Sequence, residues 1–197
     1  MFIAVEGIDG SGTTSLCKAL CPELEKQSGK RVHFLHQPDK TNLIGAVIRT
    51  LLKDGVDKRQ HEVFALLFAA ERLFIENQVD PLLKSGAIVL CDRHTWSSQA
   101  YQGCMLENIE WVTELNRFAR NPDLYIFLDT DPETARKRRA GRDDVEEIYE
   151  KHDWQLKIAA IYDRLYQEST LNKLKIDGLN DRETVKNEAL ENILKYL

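Results

Sequence analysis

The chain has 197 residues, of which 43% are hydrophobic and 30% charged, with a formal net charge of −5. That length suits a single domain, 1–197, large enough to bury most of the surface its unfolded form exposes. The acidic balance argues against general binding to a nucleic-acid polymer, and the lack of a long apolar run or signal-peptide pattern predicts no membrane span and a cytoplasmic location.

Taken in chain order, the apolar run FIAVE at 2–6 predicts a strand, and the stretch EGIDGSGTTS at 6–15 a glycine-rich loop entering a helix near Thr13. Cys17 and Cys21 share a face of that helix. With Cys91 and Cys104 they form neither C-x-x-C spacing nor a histidine cluster, so reduced thiols are expected. Further strands are predicted at 31–36, 87–92, 124–129 and 174–177. Helices are predicted at 42–53, 58–84, 107–119 and 146–168, and a last one at 181–196 places Val185, Ala189, Ile193 and Tyr196 on one stripe. The segment ARKRRAGR at 135–142 carries five basic residues in eight, followed by acidic DDVEE, and reads as a charged excursion between two helices. Near-continuous apolar strands alternating with helices predict an α/β fold around a parallel sheet with right-handed crossovers.

The first loop carries the clearest chemistry. Its spacing approaches that of a phosphate-binding loop, G-x-x-x-x-G-K-[ST], with Gly7, Gly12 and the hydroxyl of Thr14 in place but Thr13 where the lysine belongs. Glycines at Gly7, Gly10 and Gly12, with Ser11 between the last two, let backbone N–H groups converge on an anion at the helix N-terminus. Thr14 would offer its hydroxyl to Mg²⁺. The missing ammonium bears more on phosphoryl transfer than on binding, because the backbone cradle survives the substitution.

Asp92 and Arg93 follow an apolar strand, and so sit at its carboxyl edge, where ligands of parallel sheets bind. The pair reads either as a Mg²⁺ carboxylate with a phosphate-gripping guanidinium, or as a helix cap beside a solvent arginine. Phe68 and Arg72 share a helix face in LLFAAERLF, which reads as core or as a platform that stacks on a base and bonds its carbonyl. Arg136, Lys137, Arg138, Arg139 and Arg142 form either a solvated face or a lid over a triphosphate.

Four stretches together, FIAVEGIDGSG, LLFAAER, DRHTWSSQAYQG and YIFLDTDPETARKR, resemble thymidylate kinases in order and spacing across essentially the whole chain. The resemblance implies a P-loop NTPase-type three-layer sandwich, α/β, with a five-stranded parallel sheet in the order 2-3-1-4-5 and a lid at about 136–147. It implies a homodimer that phosphorylates dTMP to dTDP with ATP and Mg²⁺. It assigns the ATP phosphates to Gly7, Asp9, Gly10, Ser11, Gly12, Thr13 and Thr14, and the metal to Thr14 and Asp92. For dTMP it implies Asp9, Lys40, Arg49 and Arg93 on the sugar and phosphate side, Phe68 stacking on thymine, and Arg72 reaching a base carbonyl. Ser97, Ser98 and Gln102 would read the base edge, with Tyr101 against the sugar 2′ position. Asp9, Arg93, Arg138, Arg139 and Arg142 are the implied catalytic set.

The chain departs from the family pattern at three places. Thr13 replaces the loop lysine, HQPDK at 36–40 replaces the more usual REPGG or FPER, and DDVEEIYE lacks an arginine after the lid. Two competing expectations follow: a kinase for another deoxynucleotide or deoxynucleoside, or a nucleotide-binding protein with little catalysis.

Overall fold

The computed structural model describes residues 1–54, 60–140 and 152–197. Five strands form one all-parallel sheet: β1 (Phe2–Glu6), β2 (Val32–His36), β3 (Ile88–Asp92), β4 (Leu124–Asp129) and β5 (Lys173–Asp177), in the spatial order β2-β3-β1-β4-β5. The predicted order 2-3-1-4-5 is therefore observed, and β1 is the central strand. β1 and β3 are buried at every residue, as expected of strands covered on both faces, whereas the edge strands β2 and β5 are only partly buried.

The helices among the described residues are α1 (Thr13–Ser28), α2 (Leu43–Asp54), α3 (His61–Lys84), α4 (Thr95–Leu106), α5 (Ile109–Leu115), α6 (Pro132–Arg139), α7 (His152–Glu168) and α8 (Arg182–Leu194). They build a layer on each face of the sheet. On one face Leu16, Leu20 and Leu24 of α1 and Val185, Ala189 and Ile193 of α8 pack on Ile3, Val5, Leu90 and Ile126. On the other, Ile48 of α2, Phe64 of α3, Trp96 of α4, Ala135 of α6 and Ile158 and Tyr162 of α7 pack on Ala4, Tyr125 and Phe127. Burying each such large apolar side chain contributes about 1.5–3 kcal/mol before conformational entropy is set against it.

Two sequence expectations need correction. The predicted helix at 107–119 is the shorter α5, capped by the Asn108 side chain on the Trp111 N–H and ending where Asn116 turns inward. Nor do the first basic residues of 135–142 lie between two helices, as the predicted charged excursion would have them. Arg136–Arg139 are the last turn of α6, which starts on an Asp131 cap with Pro132 at its first position. Arg142 and most of the expected lid lie outside the described residues.

Candidate active site

The carboxyl ends of β1 and β3 lie side by side and deliver the loop and the Asp92–Arg93 pair to one place. Gly12 takes a left-handed conformation (φ 107°) as N-cap of α1, without a side-chain cap and with no acidic residue in the first helical turn. The first-turn N–H groups of α1 thus lack the usual side-chain acceptors, which is the electrostatic setting for an anion. The loop is braced by α6. Arg138 donates to the Ser11 carbonyl at 3.3 Å and to the Gly178 carbonyl at 2.9 Å, and Arg139 donates to the Asp9 carbonyl. Gly10 (φ 90°) lies so close to α6 that a Cβ there would stand 2.4 Å from the Ala135 carbonyl oxygen.

Asp92 is fully buried. Its Oδ2 accepts from the Thr14 hydroxyl and, at 2.8 Å, from His36 Nδ1, while Oδ1 has no hydrogen-bond partner among the described residues. Burial pushes the Asp92 carboxyl up, but the His36 hydrogen bond, the Arg93 guanidinium and the Thr14 hydroxyl outweigh it and hold the group below its ordinary value. Asp92 is therefore an ionised acceptor with one free oxygen, beside a hydroxyl.

Arg93 is a non-glycine residue at φ 75°, a backbone conformation that its neighbours must hold. Its guanidinium donates to Asp9 Oδ1 at 2.6 Å, to the Gly7 carbonyl at 2.8 Å and to the Ser97 hydroxyl at 3.3 Å, and sits 5.1 Å from the Tyr101 ring centre. Asp9 also accepts from Gln155 of α7 at 3.4 Å. Below this layer lies Glu6, fully buried, accepting from the His94 N–H at 2.8 Å, the Ser97 hydroxyl at 2.5 Å and the Tyr162 hydroxyl at 3.2 Å. Burial pushes the Glu6 carboxyl up, and these donors with the Arg93 and Arg72 charges only partly offset it.

Arg72 is 2% exposed. It donates to Gln37 Oε1 at 3.2 Å, to Asn116 Oδ1, to the His94 carbonyl at 3.1 Å and to the Ser98 hydroxyl at 3.1 Å. Phe68 is half-buried against Phe64, with ring centres 6.3 Å apart. Tyr101 and Gln102 are buried on α4 with Ser98, and Thr13 is 4% exposed at the start of α1. Arg49 donates to His36 Nε2 at 2.6 Å and to the Pro38 carbonyl at 3.4 Å. Lys40 is exposed in the connection from β2 to α2.

The structure thus joins Gly7, Asp9, Arg93, Ser97 and Tyr101 in one contact network, links Thr14 with Asp92, and sets Arg72 with Ser98. Among the described residues, no hydrogen bond or ion pair joins the exposed Lys40 to any of these groups. Glu6, His36, Gln37, Asn116, Gln155 and Tyr162 are the site residues that the sequence reading did not assign. Glu6 and His36 carried one usable signal, a polar residue ending a strand.

The described helices include none long and apolar enough to cross a membrane. A family model described as thymidylate kinase matches residues 5–189. A probable thymidylate kinase of Staphylothermus marinus is 40% identical over 162 residues, covering 82% of this chain and 79% of that protein. A probable thymidylate kinase of Thermococcus kodakarensis is 34% identical over 198 residues, covering 96% and 95%. A thymidylate kinase of Thermoanaerobacter sp. is 33% identical over 201 residues, covering 100% and 98%. A nucleotide-type loop on the central strand, an acid–arginine pair beside it and a match along nearly the whole length agree: the chain belongs to the thymidylate kinase family.

Proposed function

We propose that the chain phosphorylates dTMP to dTDP with ATP, in the cytoplasm and as a homodimer. The observation that carries this reading is the arrangement of Arg93, which binds the loop carbonyl of Gly7 and the loop carboxylate of Asp9 from the adjacent strand end. A charged clamp across two strand ends suits two phosphorylated substrates meeting end to end. Exposed Leu43 and Val47 on α2, with Val63, Leu66, Leu73 and Phe74 on α3, give a second copy an apolar face.

The residues fit Mg²⁺. The unpartnered Oδ1 of buried Asp92 and the Thr14 hydroxyl would hold it, with the remaining ligands from water and phosphate, since Mg²⁺ is commonly held by one or two carboxylates. When bound, it neutralises charge on the phosphate oxygens.

The dTMP phosphate oxygen is already ionised, so in-line attack on the γ-phosphoryl group needs no general base. The protein's part is positioning and electrostatics. The Gly7–Thr14 amides cradle the donor phosphates, Arg93 and Arg49 hold the acceptor phosphate, and Asp9 orients Arg93. Phe68 stacks on thymine, Arg72 and Ser98 stand at the base with Ser97 and Gln102, and Tyr101 crowds the 2′ position. Arg138 and Arg139 are the described cations that stand in for the missing loop lysine, supported by their contacts with the loop carbonyls.

The test is turnover of purified protein with ATP and Mg²⁺ on dTMP, dUMP, dCMP and thymidine separately. dTDP formation with dTMP preferred is the expected result. Saturable dTMP binding without turnover would instead favour a binding protein whose loop chemistry went with the lysine.

A further inference from the structure

His36 ends β2 directly opposite Asp92, the end of β3, in the register of the parallel pair. Its ring lies between two groups of fixed hydrogen-bonding character. Nδ1 is 2.8 Å from Asp92 Oδ2, and Nε2 is 2.6 Å from Arg49 Nη2. An ionised carboxylate can only accept and a guanidinium can only donate. The neighbours therefore select one form of the ring, neutral with its proton on Nδ1, donating to Asp92 and accepting from Arg49.

We propose that His36 is a positioning residue that sets the acceptor-side Arg49 and the metal-side Asp92 in a fixed relation to each other. The proposal rests on the roles given above to Arg49 and Asp92. Without the ring, α2, which carries Arg49, and β3, which carries Asp92, would lose a side chain that bonds to both residues.

The link acts on both ends. On Asp92, His36 and Thr14 both occupy Oδ2, which fixes the carboxylate rotation and leaves Oδ1 as the open oxygen. On Arg49, the ring fixes Nη2 while Pro38 O takes Nε, so the guanidinium plane is set by two contacts from the same strand end. The sequence departs from its family's usual pattern at this place, with HQPDK at 36–40. A histidine here supplies what a longer cationic side chain would not: an acceptor for one neighbour and a donor for the other.

Two conservative variants separate the two arms, because the asparagine amide overlays Nδ1 and the glutamine amide reaches the position of Nε2. His36→Asn should keep the Mg²⁺ dependence of turnover near wild type while raising KM for dTMP about tenfold. His36→Gln should keep KM for dTMP within a few-fold of wild type and require several-fold more Mg²⁺ for half-maximal rate. KM for ATP should move less than twofold in either. Equal defects in every parameter for Asn, Gln and Ala would overturn the proposal, and so would wild-type kinetics in all three.

A readout independent of turnover is the ¹⁵N–¹H spectrum of the His36 ring in the unliganded protein. A proton on Nδ1 with Nε2 as acceptor, the Nε2 signal moving in Arg49→Ala, is expected. A proton on Nε2, or a ring unaffected by Arg49→Ala, would overturn the link. Failure of dTMP turnover with the ring in the expected form would count against the functional reading and leave the link standing.

Discussion

Arg93 and Asp9 form an ion pair at 2.6 Å that joins the end of β3 to the loop after β1. The pair is partly buried, and the same guanidinium also binds Gly7 and Ser97, so removing it leaves several acceptors unpaired at once. Arg93→Ala should lower kcat about a hundredfold, equivalent to ~3 kcal/mol of transition-state stabilisation. Arg93→Lys should recover only a small part, because an ammonium cannot span a fork of acceptors. Steady-state rates with dTMP check both, and a full kcat in Arg93→Ala would remove the residue from the chemistry.

Thr13 and Arg138 give a compensation test. Arg138→Ala should lower kcat about tenfold and cost about 1 kcal/mol of stability, because its hydrogen bonds to the Ser11 and Gly178 carbonyls are lost. Thr13→Lys in that background should restore most of the loss, and in the wild-type background should add less. Strict additivity of the two changes in a double-mutant cycle would show that they serve different steps.

Gly10 and Gly29 both adopt positive φ, yet they should respond differently to alanine. At Gly10 a Cβ would also stand 2.4 Å from the Ala135 carbonyl, whereas at Gly29 it would meet nothing within 4 Å. Gly10→Ala should destabilise by about 1–3 kcal/mol and reduce turnover at least tenfold. Gly29→Ala should cost about 1 kcal/mol through backbone conformation alone and leave kcat unchanged. Denaturation midpoints and rates on the same preparations separate the two.

The raised pKa of Glu6 makes a signed prediction about pH. Burial favours its neutral form in the folded protein, and its proton is held more tightly there than in the unfolded chain. The folded state thus carries a penalty at neutral pH that is relieved as pH falls from the raised folded value towards the unfolded 4.5. Groups facing Glu6 are Arg93, Arg72, the Tyr162 and Ser97 hydroxyls and the His94 N–H. The stability difference between wild type and Glu6→Gln should move in favour of wild type on acidification through that window. A flat difference would show that folding leaves the Glu6 carboxyl at its ordinary value, and one of opposite sign that the folded protein holds it below that value.

Legibility in the sequence followed burial and chain distance. β1 and β3 stood out as apolar runs because the centre of a parallel sheet is covered on both faces, and Gly7–Gly12, Asp92 and Arg93 could be placed because each follows such a run. The end of α5 was misread because its apolar pattern continues to Phe118, while Asn116 is drawn inward as an acceptor for Arg72, 44 residues away. The basic run of α6 reads as a charged excursion between two helices, although Asp131 and Pro132 just before it are ordinary helix-start signals. Glu6, Gln155 and Tyr162 gained their roles from partners far along the chain, as with Gln155 and Asp9, 146 residues apart. No local pattern encodes such a meeting.

The wall of contacts around Arg72 bears on how a base would be selected. A guanidinium has five N–H groups, and the four bonds to Gln37, Asn116, His94 and Ser98 leave at most one for anything else. Its orientation is fixed when the chain folds, so the entropy of ordering that long side chain is not charged again when a ligand arrives. Discrimination at this position would then come from a rigid template that rejects a misfit base, and Asn116 and Gln37 would tune affinity through the angle at which they hold the guanidinium.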